Sequence, residues 1–144
     1  QIRIQPHGKA EGDSGLRTLK KEIAQYMAAL DVSGQRLTAS FLFPEDFVGF
    51  QGHFPGNKIL PGVCQIQCVI AMLEKWKKKN IVLREIVLAK FFSPVSPSEK
   101  LTCECRDIKD TEKEFTLKAS VSKDGKKISE LKLRVSFTGE EIKA

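Results

Sequence analysis

Leu37, Ala39, Phe41 and Phe43 take one side of a short stretch, with Arg36, Thr38, Ser40 and Leu42 on the other. A two-residue period of this kind predicts a half-buried strand, ended by Pro44. Four further segments carry strand signals: 81–92, 100–106, 114–122 and 127–137. Three of them show a clean apolar face, through Leu101, Cys103 and Cys105, then Phe115, Leu117, Ala119 and Val121, then Leu131, Leu133, Val135 and Phe137. Asp124-Gly125 between the last two predicts a tight hairpin turn. The stretch 63–78 differs: Val63, Ile66, Val69, Ile70, Met72, Leu73 and Trp76 place apolar residues on nearly every side of a helix. Such a helix must be wrapped by its surroundings. One antiparallel sheet curled around one buried helix, an α+β fold, satisfies all of these demands at once.

The N-terminal region is less regular. Leu16, Leu19, Ile23, Tyr26, Met27 and Leu30 have helical spacing, and the expectation is a short helix followed by a strand from about Gln25. Residues 1–15, with Pro6, Gly8, Gly12, Asp13, Ser14 and Gly15, read as a flexible lead that leaves His7 uninvolved.

A length of 144 residues suits one domain over 1–144, large enough to bury about two thirds of its unfolded surface. The formal charge of +6 raises the question of nucleic acid. Its basic residues are spread among Glu and Asp, however, and no aromatic residues interleave with them as in stacking RNA binders. No nucleic-acid partner is expected. Lys75 and Lys77-Lys78-Lys79 form the one basic run, placed where cations complement a helix C-terminus; its alternative is a docking patch for an anionic partner. No apolar run reaches the roughly 20 residues of a membrane span and no signal pattern opens the chain, so the expectation is a cytoplasmic protein without membrane contact. Cys64 with Cys68 and Cys103 with Cys105 each sit among aliphatic residues, which predicts buried thiols acting as small hydrophobes. Their spacing is not that of a zinc site, and neither a metal nor a cofactor is assigned.

The candidate chemistry lies between Phe50 and Cys68, in Phe-Gln-Gly-His-Phe-Pro-Gly-Asn-Lys-Ile-Leu-Pro-Gly-Val-Cys-Gln-Ile-Gln-Cys. His53 stands on a loop stiffened by Pro55 and Pro61 and turned by Gly52, Gly56 and Gly62. An imidazole can move protons near neutral pH. A Pro-Gly helix start leaves N–H groups and the positive dipole end free for an oxygen that gains negative charge. A thioester being enolised or attacked fits both demands.

This stretch resembles the signature of the hotdog-fold 3-hydroxyacyl-(acyl carrier protein) dehydratases, in which Gly-His-Phe-Pro-Gly precedes Pro-Gly-Val at the head of a central helix. The likeness continues through Lys90-Phe-Phe-Ser-Pro-Val-Ser-Pro-Ser-Glu-Lys-Leu101 and covers roughly 34–137. It implies the hotdog fold, a homodimer or an oligomer of dimers, and a thioester of acyl carrier protein or coenzyme A as partner. By resemblance His53 is the catalytic base and the Gly62 N–H polarises the thioester oxygen. Val63, Phe54, Phe91 and Phe92 line the substrate, with Phe50 as tunnel or core. The helix position that carries a carboxylate in this family, fourteen residues after the histidine, is Gln67. An amide hydrogen-bonds but does not exchange protons as an acid or base. Glu45 and Asp46 are read as exposed turn residues after Pro44. The implied activity is a dehydratase-like one in fatty-acid or related acyl-chain biosynthesis. The alternatives are an acyl thioesterase, or a non-catalytic module that binds acyl thioesters.

Overall fold

A computed structural model describes residues 10–50, 58–110 and 113–141. Helix α1 spans Ala10–Gln25, strands β1 and β2 span Met27–Ser33 and Arg36–Leu42, helix α2 spans Gly62–Lys77, and β3 to β6 span Lys79–Phe91, Lys100–Asp110, Glu114–Lys123 and Lys126–Glu141. All six strands join one antiparallel sheet in the order β1-β2-β4-β5-β6-β3. This is the hotdog arrangement expected from pattern and resemblance, with α2 as the filling. Cys64, Ile66, Cys68, Val69, Ile70, Met72 and Leu73 of α2 are buried against the inward faces of the strands, among them Leu37, Phe41, Leu101, Cys103, Leu117 and Leu133.

The strands follow the two-residue period closely. Asp124 and Gly125 both have positive φ, 51° and 78°, as a two-residue turn matched to the right-handed twist of a hairpin requires. The expected helix and following strand are present, with β1 beginning at Met27, and one point is corrected: α1 begins at Ala10, inside the stretch read as a flexible lead. Gly12 and Gly15 are poor helix formers, yet tertiary contacts hold the second half of α1. Ile23 is fully buried, Lys20 Nζ lies 3.1 Å from Glu74 Oε2 on α2, and Glu22 Oε1 accepts the Val48 N–H at 3.3 Å.

Two clamps deliver the chain to the head of α2. Upstream, Phe43 and Phe47 stack with centroids 4.4 Å apart, and Phe50 packs edge-on to Phe47 at 5.7 Å. Downstream, the Leu60 N–H donates to the Val95 carbonyl and the Ser98 N–H to the Phe43 carbonyl, both at 2.8 Å. The turn after β3 is thereby tied to both sides of the segment 51–57. Strand β3 ends the sheet, and its outer edge pairs with no strand among the described residues. No helix among them is long and apolar enough to cross a membrane.

Candidate active site

Helix α2 starts without a side-chain cap. Pro61 occupies the N-cap with extended geometry (φ −62°, ψ 149°) and supplies no side-chain cap bond to the first turn. The Cys64 and Gln65 amides reach the Pro61 carbonyl at 3.0 and 3.3 Å, which leaves the Gly62 and Val63 N–H groups without an acceptor among the described residues. An open helix start of this kind favours an oxygen carrying negative charge.

Gly62 is favoured by a close approach rather than by its dihedral angles, since any side chain here makes the Phe91 ring shift. A Cβ at this position would lie 2.6 Å from Cζ of Phe91, whose ring covers the helix head. Phe91 and Phe92 leave the end of β3 with 48% and 55% of their surface exposed, and Val63 stands at 52%. Together with Leu60 and Gln65 these rings border a recess of about 250 Å³. The expected Gly62, Phe91 and Phe92 therefore meet at one place, with Val63 beside it on the same helix turn. His53 and Phe54, expected in the same place, lie outside the described residues. Phe50 belongs to the core, being almost fully buried.

Gln67 lies elsewhere. Two positions beyond Gln65 on a helix means a rotation of about 200°, and Gln67 borders a separate recess of about 400 Å³ with Lys20, Ile70, Asn80, Val82 and Thr138. That recess flanks the beginning of β3, whereas the Gly62 recess flanks its end. Within the described residues of one chain, Gln67 and Gly62 thus do not share a cavity.

Gln65 is buried and Gln67 partly buried, and both carry an anomalous oxygen. Among the described residues, three buried side-chain oxygens lack a hydrogen-bond partner: Oε1 of Gln65, Oε1 of Gln67 and Oγ of Ser129. An unpaired buried acceptor costs about 1–3 kcal/mol, so two of them on one helix are a concentrated departure from ordinary core chemistry. Gln65 is missed by the motif comparison and hidden by the helix's all-round apolar pattern. Its signal is plain in retrospect: an amide in the run Cys-Gln-Ile-Gln-Cys, where a wrapped helix calls for hydrocarbon.

The remaining ionisable groups are accounted for structurally. Glu45 is exposed and pairs with Lys58 at 3.6 Å, and Asp46 is exposed beside it. All four thiols are free and buried. Burial raises the Cys64 pKa to about 11. It also raises Cys68, with further contributions from a hydrogen bond to Cys103 and the neighbouring thiols. Such thiols are inert hydrophobes rather than nucleophiles. The lysine run divides among the end of α2, its cap and β3: Lys77 Nζ lies 4.0 Å from the Trp76 ring centroid, and Lys79 Nζ lies 5.0 Å from that of Phe137.

The ApeI dehydratase family model matches residues 29–132. The chain is 31% identical over 109 residues to the 3-hydroxyacyl-(acyl-carrier-protein) dehydratase FabZ of Enterococcus faecalis, an alignment covering 71% of this chain and 77% of that enzyme. With the corresponding enzyme of Ehrlichia chaffeensis the identity is 41% over 64 residues, 41% of this chain but only 43% of the relative. Among solved structures, the dehydratase heterocomplex ApeI:P from Xenorhabdus doucetiae superposes with a TM-score of 0.63 at 22% identity, covering 76% of this chain and 96% of that one. Fold, loop motif and family match converge, and the chain belongs to the ApeI-like dehydratases, a hotdog-fold family.

Proposed function

We propose that the protein removes water from 3-hydroxyacyl thioesters carried by acyl carrier protein or coenzyme A, in fatty-acid or related acyl-chain biosynthesis. The observation that carries this reading is the uncapped head of α2, with the Gly62 and Val63 N–H groups free beneath the exposed Phe91 ring. A thioester oxygen seated there gains stabilisation as it becomes enolate-like. His53 takes the proton from the carbon beside the carbonyl, leaving the electron pair delocalised onto the thioester oxygen, and that pair forms the new double bond as the protonated hydroxyl parts from C3. The hydroxyl leaves as water after His53 returns the proton to it. Gln67 hydrogen-bonds the departing oxygen without exchanging a proton.

We propose further that two protomers build each site. What supports this is the separation of the two recesses along β3. Gln67 follows Gly62 by only five positions, about 7.5 Å of helix rise, yet its recess is lined by Asn80, Ile81 and Val82 at the start of β3 and that of Gly62 by Phe91 at its end. Antiparallel pairing of this free edge with a second copy lays the start of one β3 beside the end of the other. Gln67 of each protomer then approaches the helix head of its partner, and two open sheet edges are covered.

The test is to incubate the purified protein with 3-hydroxyacyl and saturated acyl thioesters, reading alkene and free thiol separately. Alkene from the hydroxylated substrate, without thiol, is the expected result. Thiol without alkene would make the protein a thioesterase, and neither product would leave an acyl-binding module.

A further inference from the structure

Gln65 has no part in the reaction scheme above, yet its side chain borders the recess at that scheme's centre. It is 3% exposed, its Oε1 has no donor, and it borders the same recess as Gly62 and Phe91. Ile59, Leu60, Phe92 and Pro94 border the recess with hydrocarbon and Ser93 borders it with a hydroxyl, but no hydrogen bond joins Ser93 to the Gln65 oxygen. A leucine or methionine here would pack without an orphaned acceptor. The recess therefore combines two kinds of hydrogen-bonding group: helix N–H donors at Gly62 and Val63, and a desolvated acceptor one turn further on.

A ligand that satisfies both must present an acceptor and a donor a few atoms apart within an apolar chain. A 3-hydroxyacyl thioester does so, with the thioester oxygen on C1 and the hydroxyl on C3. Resting on the dehydration reading, we propose that Gln65 is a specificity residue whose carbonyl oxygen accepts a hydrogen bond from the substrate's 3-hydroxyl. Saturated chains lack that donor and leave the acceptor unpaired, which disfavours them. The 2-enoyl product lacks it as well, so elimination itself removes the contact and favours release. A site built around a substrate hydroxyl rejects the analogue without it far more strongly than a hydrocarbon pocket rejects an added hydroxyl.

The test measures binding rather than turnover, using two unreactive ligands: pantetheine carrying a 3-hydroxyacyl or a saturated acyl chain of equal length through an amide in place of the thioester. Calorimetric titration of the parent should show about tenfold tighter binding of the hydroxylated ligand, the ratio that one hydrogen bond to a desolvated acceptor supplies. Gln65→Met should bring the two affinities within about twofold and melt no lower than the parent, because it removes the orphaned acceptor. Gln65→Glu keeps an acceptor and should keep the preference. Undiminished preference in Gln65→Met would overturn the proposal, as would equal binding of both ligands by the parent, and the second result would leave the dehydration reading standing. If the parent binds neither ligand, the reading of the whole site falls and this assignment falls with it.

Discussion

The two ends of α2 are built to opposite standards. At the C-terminal end the chain is tied down: Lys78 adopts the left-handed cap and donates its N–H to the Glu74 carbonyl at 2.7 Å, while Glu74 Oε2 accepts the Ile81 N–H at 2.9 Å and Lys20 Nζ at 3.1 Å. At the N-terminal end there is no side-chain cap, the Gln65 amide oxygen has no partner among the described residues, and two phenylalanine rings are about half exposed. A helix shaped for stability alone would be capped at both ends. The contrast separates labour along one element: the closed end anchors α2 to β3 and α1, and the open end is left ready for an oxygen.

Substitutions that set one end against the other sharpen this division. The largest effect is expected at the open end. His53→Ala should lower alkene formation by ~10²–10⁴, the usual worth of a proton-transfer group, with the melting temperature unchanged, as followed by enoyl absorbance and circular dichroism. Gly62→Val comes next. Its branched side chain meets the Phe91 ring, which already stands 2.6 Å from the Cβ position. Both activity and stability should fall, the latter by about 1–3 kcal/mol for an overpacked contact, and urea unfolding should show partial recovery when Phe91→Ala is added.

The closed end should answer differently. Glu74→Ala leaves the Ile81 N–H and Lys20 without their acceptor, so urea unfolding should show a loss of about 1–2 kcal/mol while the turnover number stays near that of the parent. A large fall in turnover without a fall in stability would erase the distinction between the two ends.

The smallest effect concerns the turn that ties β3 to the helix head. Glu99 accepts the Ser96 N–H at 2.7 Å and pairs with Lys123 at 2.6 Å. Lys123 first, then the Ser96 amide, holds the Glu99 carboxyl below its usual range. A depressed folded-state pKa stabilises above the unfolded value and is lost as pH falls through the folded one. Glu99→Gln should therefore cost at most about 0.5–1 kcal/mol near neutral pH for a solvent-screened pair. That cost should shrink below about pH 4.5, as measured by thermal melts across pH.

Much of the fold was legible because most of its strands have one dry face and one wet face. Leu131, Leu133 and Val135 are buried while their neighbours Lys132 and Arg134 are not, and that alternation is visible in the letters. The start of α1 was not, because Gly12, Asp13 and Gly15 argue against a helix locally and the contacts of Lys20, Glu22 and Ile23 argue for it from a distance. At the site, Pro61-Gly62 announced an open helix head, and the structure adds the reason Gly62 has no side chain. The placement of Gln67 was beyond reach of spacing alone. Position on the helix gives its angle, but only the direction of β3 beneath the helix reveals that Gln67 and Gly62 flank opposite ends of that strand. Gln65 was obscured for a related reason: in a helix wrapped on all sides, periodicity marks no face on which a polar residue stands out.

The most direct test of the account is complementation between two defective chains. Co-expressed with different affinity tags, His53→Ala and a disabling Gln67 substitution such as Gln67→Leu yield a heterodimer in which one site lacks both groups and the other has both intact. If β3 joins the protomers edge to edge and each site is shared, the purified heterodimer should form alkene at about half the parental rate, while each variant alone stays near background. Activity no higher than that of the separate variants, or a parent that sediments as a monomer at micromolar concentration, would contradict the shared site.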